Sequence, residues 1–206
     1  MKSLNYPIVL ASASPRRVEL LKGMGLEFYV RKPDVDETVL PREKPLAMVK
    51  RLSESKASTV VQELLREVGM GLVIAADTTV VSPKGEILGK PANSDESFRM
   101  VSALSGKVHK VLTGYTIILG AREMKPKIWS RVVTTSVKFR KLSKQQIQQY
   151  VDTGEGLDKA GAYAIQGRGS SLILSITGSY TNVVGLPIAE LAEDLRAKFG
   201  LTDGII

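Results

Sequence analysis

The sequence predicts a mixed α/β fold, and three stretches carry that expectation. The short apolar run Ile8-Val9-Leu10-Ala11 is strand-like, and it leads through serines and a proline into apolar residues at helical spacing, Val18, Leu20, Leu21 and Met24. A long helical stripe over 45–68 precedes the continuously apolar Leu72-Val73-Ile74-Ala75-Ala76, the pattern of a central strand covered on both faces. Residues 107–119 and the alternating, Val- and Thr-rich 128–140 read as strands paired antiparallel. At 206 residues the chain reads as one domain over 1–206, with room for two lobes.

In the opening element, Ser14 is placed as an N-cap and Pro15 at the first helical position, where a missing N–H costs nothing. Gly23 and Gly25 close that helix. Arg16 and Arg17 therefore fall in the first turn, where the helix dipole favours Asp or Glu. One reading is an anion docked there on free N–H groups, serine hydroxyls and guanidinium forks. The other is a strand-to-helix turn with two solvated arginines, and this stretch alone does not separate them. A second strand is expected over 27–31. The acidic loop 33–38 follows, with Asp34, Asp36 and Glu37. Three carboxylates in four positions suit a divalent cation, but without context the loop reads as solvated, with Asp as turn former.

Helix 45–68 ends at Gly69 and Gly71, and Lys56 near its middle reads as an ordinary surface lysine. The apolar strand after it runs into Asp77-Thr78-Thr79 and then Val80-Val81. A carboxylate at the end of a buried strand is costly unless hydrogen-bonded or bound to a cation. Ligands of α/β sheets collect at such strand ends, so spacing alone makes Asp77 the first candidate for chemistry. Residues 82–85 form a hairpin turn into 86–88. The run Gly85-x-x-x-Gly89-Lys90-Pro91 is one residue short of a P-loop and has proline where Ser or Thr belongs. Lys90 is nevertheless held on a stiff loop, which suits a phosphate contact, although surface lysines in such loops are commonplace.

An amphipathic helix is expected over 95–104, closed by Ser105-Gly106, and the lone His109 reads as a satisfied structural residue. Ser143 caps a helix over 143–151. Residues 158–169 are dominated by glycine and small side chains, which pack no core and let backbone approach a ligand. Gly167-Arg168-Gly169 is not a dinucleotide fingerprint, since Leu172 stands where the third glycine belongs. A strand over 172–176, a loop over 178–182 and a final helix over 186–199, bounded by Pro187 and Gly200, complete the chain.

Composition excludes several chemistries. There is no cysteine, which removes disulfides, thiolate metal sites and cysteine nucleophiles and fits a reducing cytoplasm. With one histidine, any metal would be a hard cation on oxygen ligands. Lys2, the apolar run and Ala11-Ser12-Ala13 look like a secretory signal, but four apolar residues fall short of the roughly 7–15 required. No stretch nears the roughly 20 apolar residues that span a bilayer, so the expectation is a cytoplasmic protein with no membrane partner. The net charge of +8 suits nucleotides or nucleic acid, yet Lys and Arg are scattered and not interleaved with aromatics. No stable nucleic-acid partner is expected.

Taken together the motifs are specific. Ser12-x-Ser14-Pro15-Arg16-Arg17, Asp36-Glu37-Thr38, Ala76-Asp77-Thr78, Gly89-Lys90-Pro91, Ser105-Gly106-x-x-His109-x-Val111-x-Thr113-Gly114, Asp158-Lys159-Ala160-Gly161-x-Tyr163-x-Ile165-Gln166-Gly167 and Asn182-Val183-Val184-Gly185-Leu186-Pro187 occur in the order of the Maf family. The chain resembles that family from Ile8 to about Leu191. The resemblance implies a nucleoside triphosphate pyrophosphatase that uses Mg²⁺ or Mn²⁺ and releases a nucleoside monophosphate and pyrophosphate. It also implies a fold like the inosine triphosphate pyrophosphatases, a twisted mixed sheet flanked by helices with a cleft between two lobes. A homodimer is compatible with it.

Within the family, three positions separate the dTTP/UTP type (arginine, threonine, glutamine) from the 7-methyl-GTP type (tryptophan, glutamine, glutamate). Here they are Arg16, Thr78 and Gln166, all of the dTTP/UTP kind. A glutamine amide offers a donor and an acceptor to a pyrimidine edge with adjacent C=O and N–H. Ala164, where glycine is common, and Thr181, where a second tyrosine is often found, are the departures. By resemblance Asp77 is the general base, acting on water that attacks the α-phosphorus, and Glu37 joins it at the metal. Ser12, Arg16, Arg17, Lys56 and Lys90 would neutralise the triphosphate. Modified pyrimidine nucleotides are equally compatible substrates. The rival reading is a nucleic-acid- or partner-binding regulator of cell division and septum formation, which would show binding to long DNA that weakens steeply with salt.

Overall fold

The computed structural model describes residues 6–202, so Lys2 lies outside it. The architecture is mixed α/β. A seven-stranded sheet has the order β2-β1-β3-β5-β6-β7, with β4 paired to β3 off that path. The strands are β1 (Ile8–Ala11), β2 (Tyr29–Arg31), β3 (Met70–Val81), β4 (Ile87–Leu88), β5 (Val108–Ala121), β6 (Met124–Phe139) and β7 (Ile173–Thr177). The helices are α1 (Pro15–Gly23), α2 (Pro45–Val68), α3 (Ser94–Leu104), α4 (Lys144–Val151), α5 (Tyr180–Val184) and α6 (Ile188–Phe199). Two 3-10 turns, Ala160–Ala162 and Gly167–Leu172, lie between α4 and β7.

The chain forms two compact units. The first takes the described parts of Met1–Asp77, Thr113–Val132 and Gly185–Ile206. In it β1 pairs parallel with β2 on one side and with β3 on the other, in the registers Ala11↔Arg31 and Ala11↔Ala75. All three strands thus point their carboxyl ends to one edge. Val9, Ala11, Val73, Ala75 and Ile118 pack there against Ala57, Val60, Val61 and Leu64 of α2. Gly114 of β5 lets the helix approach this closely. A Cβ on it would stand 2.6 Å from Val49 C and 2.9 Å from Lys50 N, both backbone atoms of α2.

The second unit is Thr78–Leu112 with Val133–Val184. Its core joins Val101 and Leu104 of α3, Phe139 of β6, Ile147 and Tyr150 of α4, and Tyr163. The expected cap of α4 is present as a full capping box. Ser143 Oγ accepts from Gln146 N at 3.2 Å, and Gln146 Oε1 accepts from Ser143 N at 3.0 Å.

Three local expectations are corrected. Ser14 occupies the N-cap position of α1, but its side chain makes no cap; instead its N–H donates to Ser12 Oγ at 3.2 Å. Asp77 is interior to β3 rather than at its end, because the hairpin with β4 (Val80↔Leu88) carries the strand on to Val81. The expected loop 178–182 ends in the short helix α5, whose first turn is tied by Asn182 N donating to Ser179 Oγ at 3.2 Å. Among the described residues, no helix is long and apolar enough to cross a membrane.

Candidate functional site

The first unit gathers chemistry at the carboxyl edge of its parallel strands. β1 ends at Ala11 and opens into Ser12–Ser14 and α1; β2 ends at Arg31 and opens into the acidic loop; β3 passes the same edge and reaches Asp77 two residues beyond Ala75. Ser12 is buried, and its Oγ accepts from Ser14 N and, at 3.3 Å, from Arg17 Nη1. Arg17 Nε also donates to Gly185 O at 2.8 Å, which fixes the guanidinium over the start of the helix. Burial pushes the Arg17 pKa below its ordinary value; Asp77 and Glu37 act against that, and Arg16 with it. Arg16 is half-buried, and its Nε is buried with no hydrogen-bond partner among the described residues. A buried donor left open at a helix N-terminus suits an anion.

Lys56 is the largest departure from the residue-level reading. It is 6% exposed, not a surface lysine, and its Nζ meets Asp77 Oδ1 at 2.7 Å and Glu37 Oε1 at 2.8 Å. The signal for this was in the helix pattern, since Lys56 lies four residues from both Leu52 and Val60 on the buried stripe of α2. Asp77 is itself only 8% exposed, so each buried charge is compensated by the other.

Glu37 is exposed, and the loop carrying it is pinned from α2 by Arg51. The Arg51 guanidinium grips Glu43 through Nε (2.6 Å) and Nη2 (2.7 Å) and donates to Thr38 O at 3.1 Å. This pairing pulls the Glu43 pKa down to about 2. Asp36 turns the loop by accepting from Thr38 N at 2.9 Å. Arg51 and Glu43 were not singled out from the sequence. Eight residues separate them, and only the fold of the loop onto α2 makes them a pair.

No group of three or more His, Asp or Glu that could hold a metal occurs among the described residues. Asp77 and Glu37 nevertheless converge on one cationic atom, Lys56 Nζ, and both are hard oxygen donors. That donor set fits Mg²⁺ or Mn²⁺, of which Mg²⁺ binds through one or two carboxylates while substrate phosphates and water complete its shell.

The second unit carries the other candidates. Thr78 is half-buried, and strand alternation sends its side chain to the face opposite Asp77. Lys90 is exposed on the loop after β4, which is tied to the glycine-rich stretch by Gly161 N donating to Gly89 O at 3.0 Å. Gln166 is exposed at the start of the second 3-10 turn, with extended backbone. His109 is 1% exposed and shares a 2.7 Å hydrogen bond between Nε2 and Tyr163 Oη, with Phe139 edge-on at 5.0 Å. Burial lowers its pKa to about 4, so it is a neutral packing residue as expected, but it is satisfied only at Nε2: its buried Nδ1 has no hydrogen-bond partner among the described residues.

Residues 7–198 match the family described as Maf-like protein. A dTTP/UTP pyrophosphatase of Desulforamulus reducens is 50% identical over 198 residues, covering 95% of this chain and 97% of that protein. One of Geobacter metallireducens is 48% identical over 197 residues, covering 96% and 98%. Likeness to solved structures is distant: the Ham1 protein of Staphylococcus aureus aligns with a TM-score of 0.39 and 14% identity, covering 82% of this chain and 80% of that one.

Proposed function

The chain belongs to the Maf family, and from that premise we propose that it hydrolyses dTTP and UTP to the monophosphate and pyrophosphate. The observation that carries the reading is the buried Lys56 ammonium shared by Asp77 and Glu37, at the strand edge where Ser12, Arg16 and Arg17 stand. The relatives named dTTP/UTP pyrophosphatase, near half identical over almost their full length, support the substrate class.

In this reading Asp77 is the proton acceptor for the water that attacks the α-phosphorus. Its Oδ1 is engaged by Lys56, which fixes the carboxylate and leaves Oδ2 to take the proton. Asp77 and Glu37 would hold Mg²⁺ or Mn²⁺, which when bound supplies charge neutralisation to the phosphates. Ser12, Arg16, Arg17, Lys56 and Lys90 bind the triphosphate and offset the charge that builds on the leaving pyrophosphate. Arg16, Thr78 and Gln166 select the base, with the Gln166 amide supplying one donor and one acceptor. In the same reading the enzyme is cytoplasmic and works on free nucleotides, which the lack of cysteine supports.

The deciding experiment is pyrophosphate release from dTTP, UTP, CTP, GTP and 7-methyl-GTP with Mg²⁺ or Mn²⁺. Preference for dTTP and UTP is expected. Preference for 7-methyl-GTP would keep the reaction and overturn the roles of Arg16, Thr78 and Gln166. No turnover on any of them would bring the binding-regulator reading forward.

A further inference from the structure

The stretch that bears Gln166 has little rigidity of its own. It is rich in glycine and small residues, and Gly167 has a φ of +67°, which L side chains rarely adopt. Something outside the stretch must fix the direction in which Gln166 projects. Upstream of Gln166, Ala164 N donates to Tyr150 Oη at 3.2 Å, and Tyr163 Oη is bonded to His109. Downstream, one carboxylate does the work. Glu155 Oε1 accepts from Arg168 N at 2.9 Å, and Glu155 Oε2 accepts from Gly169 N at 2.7 Å. Both N–H groups belong to the opening of the 3-10 turn Gly167–Leu172, which has no partner for them within the turn.

Glu155 is well placed for this. Its own N–H donates to Thr153 Oγ1 at 3.2 Å, and the Thr153 hydroxyl donates to Tyr150 O at 2.6 Å, so its backbone is tied to the end of α4. Burial, and after it the nearby Glu155 charge, push the Tyr150 hydroxyl pKa up, against the Ala164 N–H that lowers it. Gly167 leaves the room the carboxylate needs, because a Cβ there would fall on Glu155 Oε1. Bonds from two N–H groups to one ionised carboxylate are short and charge-assisted, stronger than those of a neutral acceptor.

We infer that Glu155 is a positioning residue for base recognition: its carboxylate locks the Gly167–Gly169 backbone and so sets the direction of the Gln166 amide. This rests on the proposed role of Gln166 in selecting the base. It assigns Glu155 no contact with substrate. The ligand it orients for is a pyrimidine nucleoside triphosphate with adjacent C=O and N–H groups.

The test is steady-state kinetics of Glu155→Ala, Glu155→Gln, Gln166→Ala and the double variant Glu155→Ala/Gln166→Ala on dTTP and CTP, with Tm recorded for each. Glu155→Ala is expected to raise KM for dTTP about tenfold, to hold kcat within about twofold and to shrink the dTTP-over-CTP preference. Glu155→Gln keeps the shape but presents an NH₂ to one of the two N–H groups, so its KM should fall between wild type and Glu155→Ala. In the Gln166→Ala background, Glu155→Ala should add little, because the two act on one interaction. If Glu155→Ala does not fold, the Glu155→Gln arm decides alone. Unchanged KM and preference in the Glu155 variants, while Gln166→Ala erases the preference, would overturn this inference and leave the base-selection reading standing. So would full additivity in the double variant, or a fall in kcat at constant KM. If Gln166→Ala leaves the preference intact, the base-selection role fails and this inference fails with it.

Discussion

Asp77 and Lys56 form a buried ion pair in which neither partner can be removed quietly. Asp77→Asn keeps the shape of the side chain but gives up the carboxylate proposed as the proton acceptor. It should abolish pyrophosphate release from dTTP while the circular dichroism spectrum stays native; near-normal turnover would refute the assignment. Lys56→Met differs, because it strands Asp77 without its counter-charge. Loss of one partner of a buried pair costs about 3 kcal/mol, so Tm should fall together with activity. His109 carries a pH signature. With its folded pKa near 4 and an unfolded value near 6.5, the unfolded chain binds the extra proton between those limits. Stability from this group is therefore full above pH 6.5 and is lost as pH falls toward 4, by about 3 kcal/mol in all. Thermal melts across pH 7 to 4.5 should show that slope, and His109→Gln should flatten it; equal slopes would exclude His109 as the source.

Helix α2 is the element on which the first unit's site depends. One stripe of it packs on the sheet through Ala57, Val60, Val61 and Leu64, and Lys56 lies on the buried side of the helix, where it reaches Asp77. Arg51, on another side of the helix, pins the loop that brings Glu37 to the same ammonium. The depth at which α2 sits is set by Gly114, where backbone of the helix lies against the α-carbon of β5. Gly114→Ala should force the helix outward, destabilising the protein by about 2 kcal/mol and lowering kcat, because Lys56 and Glu37 move with it. Retained Tm with lost activity would place its effect elsewhere than in the packing. The capping box of α4 is a smaller and separate contribution, and Ser143→Ala should cost about 1 kcal/mol with no change in KM for dTTP.

At the scale of the whole molecule, the proposed use of a divalent metal is the reading most open to test. EDTA should stop pyrophosphate release, and added Mg²⁺ or Mn²⁺ should restore it. Tm should hardly change, since Lys56 already compensates both carboxylates; unimpaired turnover in EDTA would overturn the metal role proposed for Glu37. Much of this molecule was legible in its sequence. Apolar period and punctuation by Gly and Pro marked most elements, because burial of one face and the special backbone of those residues act locally. The seven ordered motifs marked Ser12, Arg16, Arg17, Glu37, Asp77, Thr78, Lys90 and Gln166 as candidates; Lys56 lies in none of them, its residue pattern read as a surface lysine, and only the family resemblance gave it a phosphate role. Partnership was not legible. That Lys56 lies buried between Asp77 and Glu37, that Arg51 holds Thr38 and Glu43, and that Glu155 ties down Arg168 and Gly169 follow from chain segments brought together by strand register and helix depth. The sequence alone determined which chemical groups and which local elements exist. The tertiary structure decided which charges are desolvated and which donors meet which acceptors, because those energies depend on distances of a few ångströms between residues far apart in the chain.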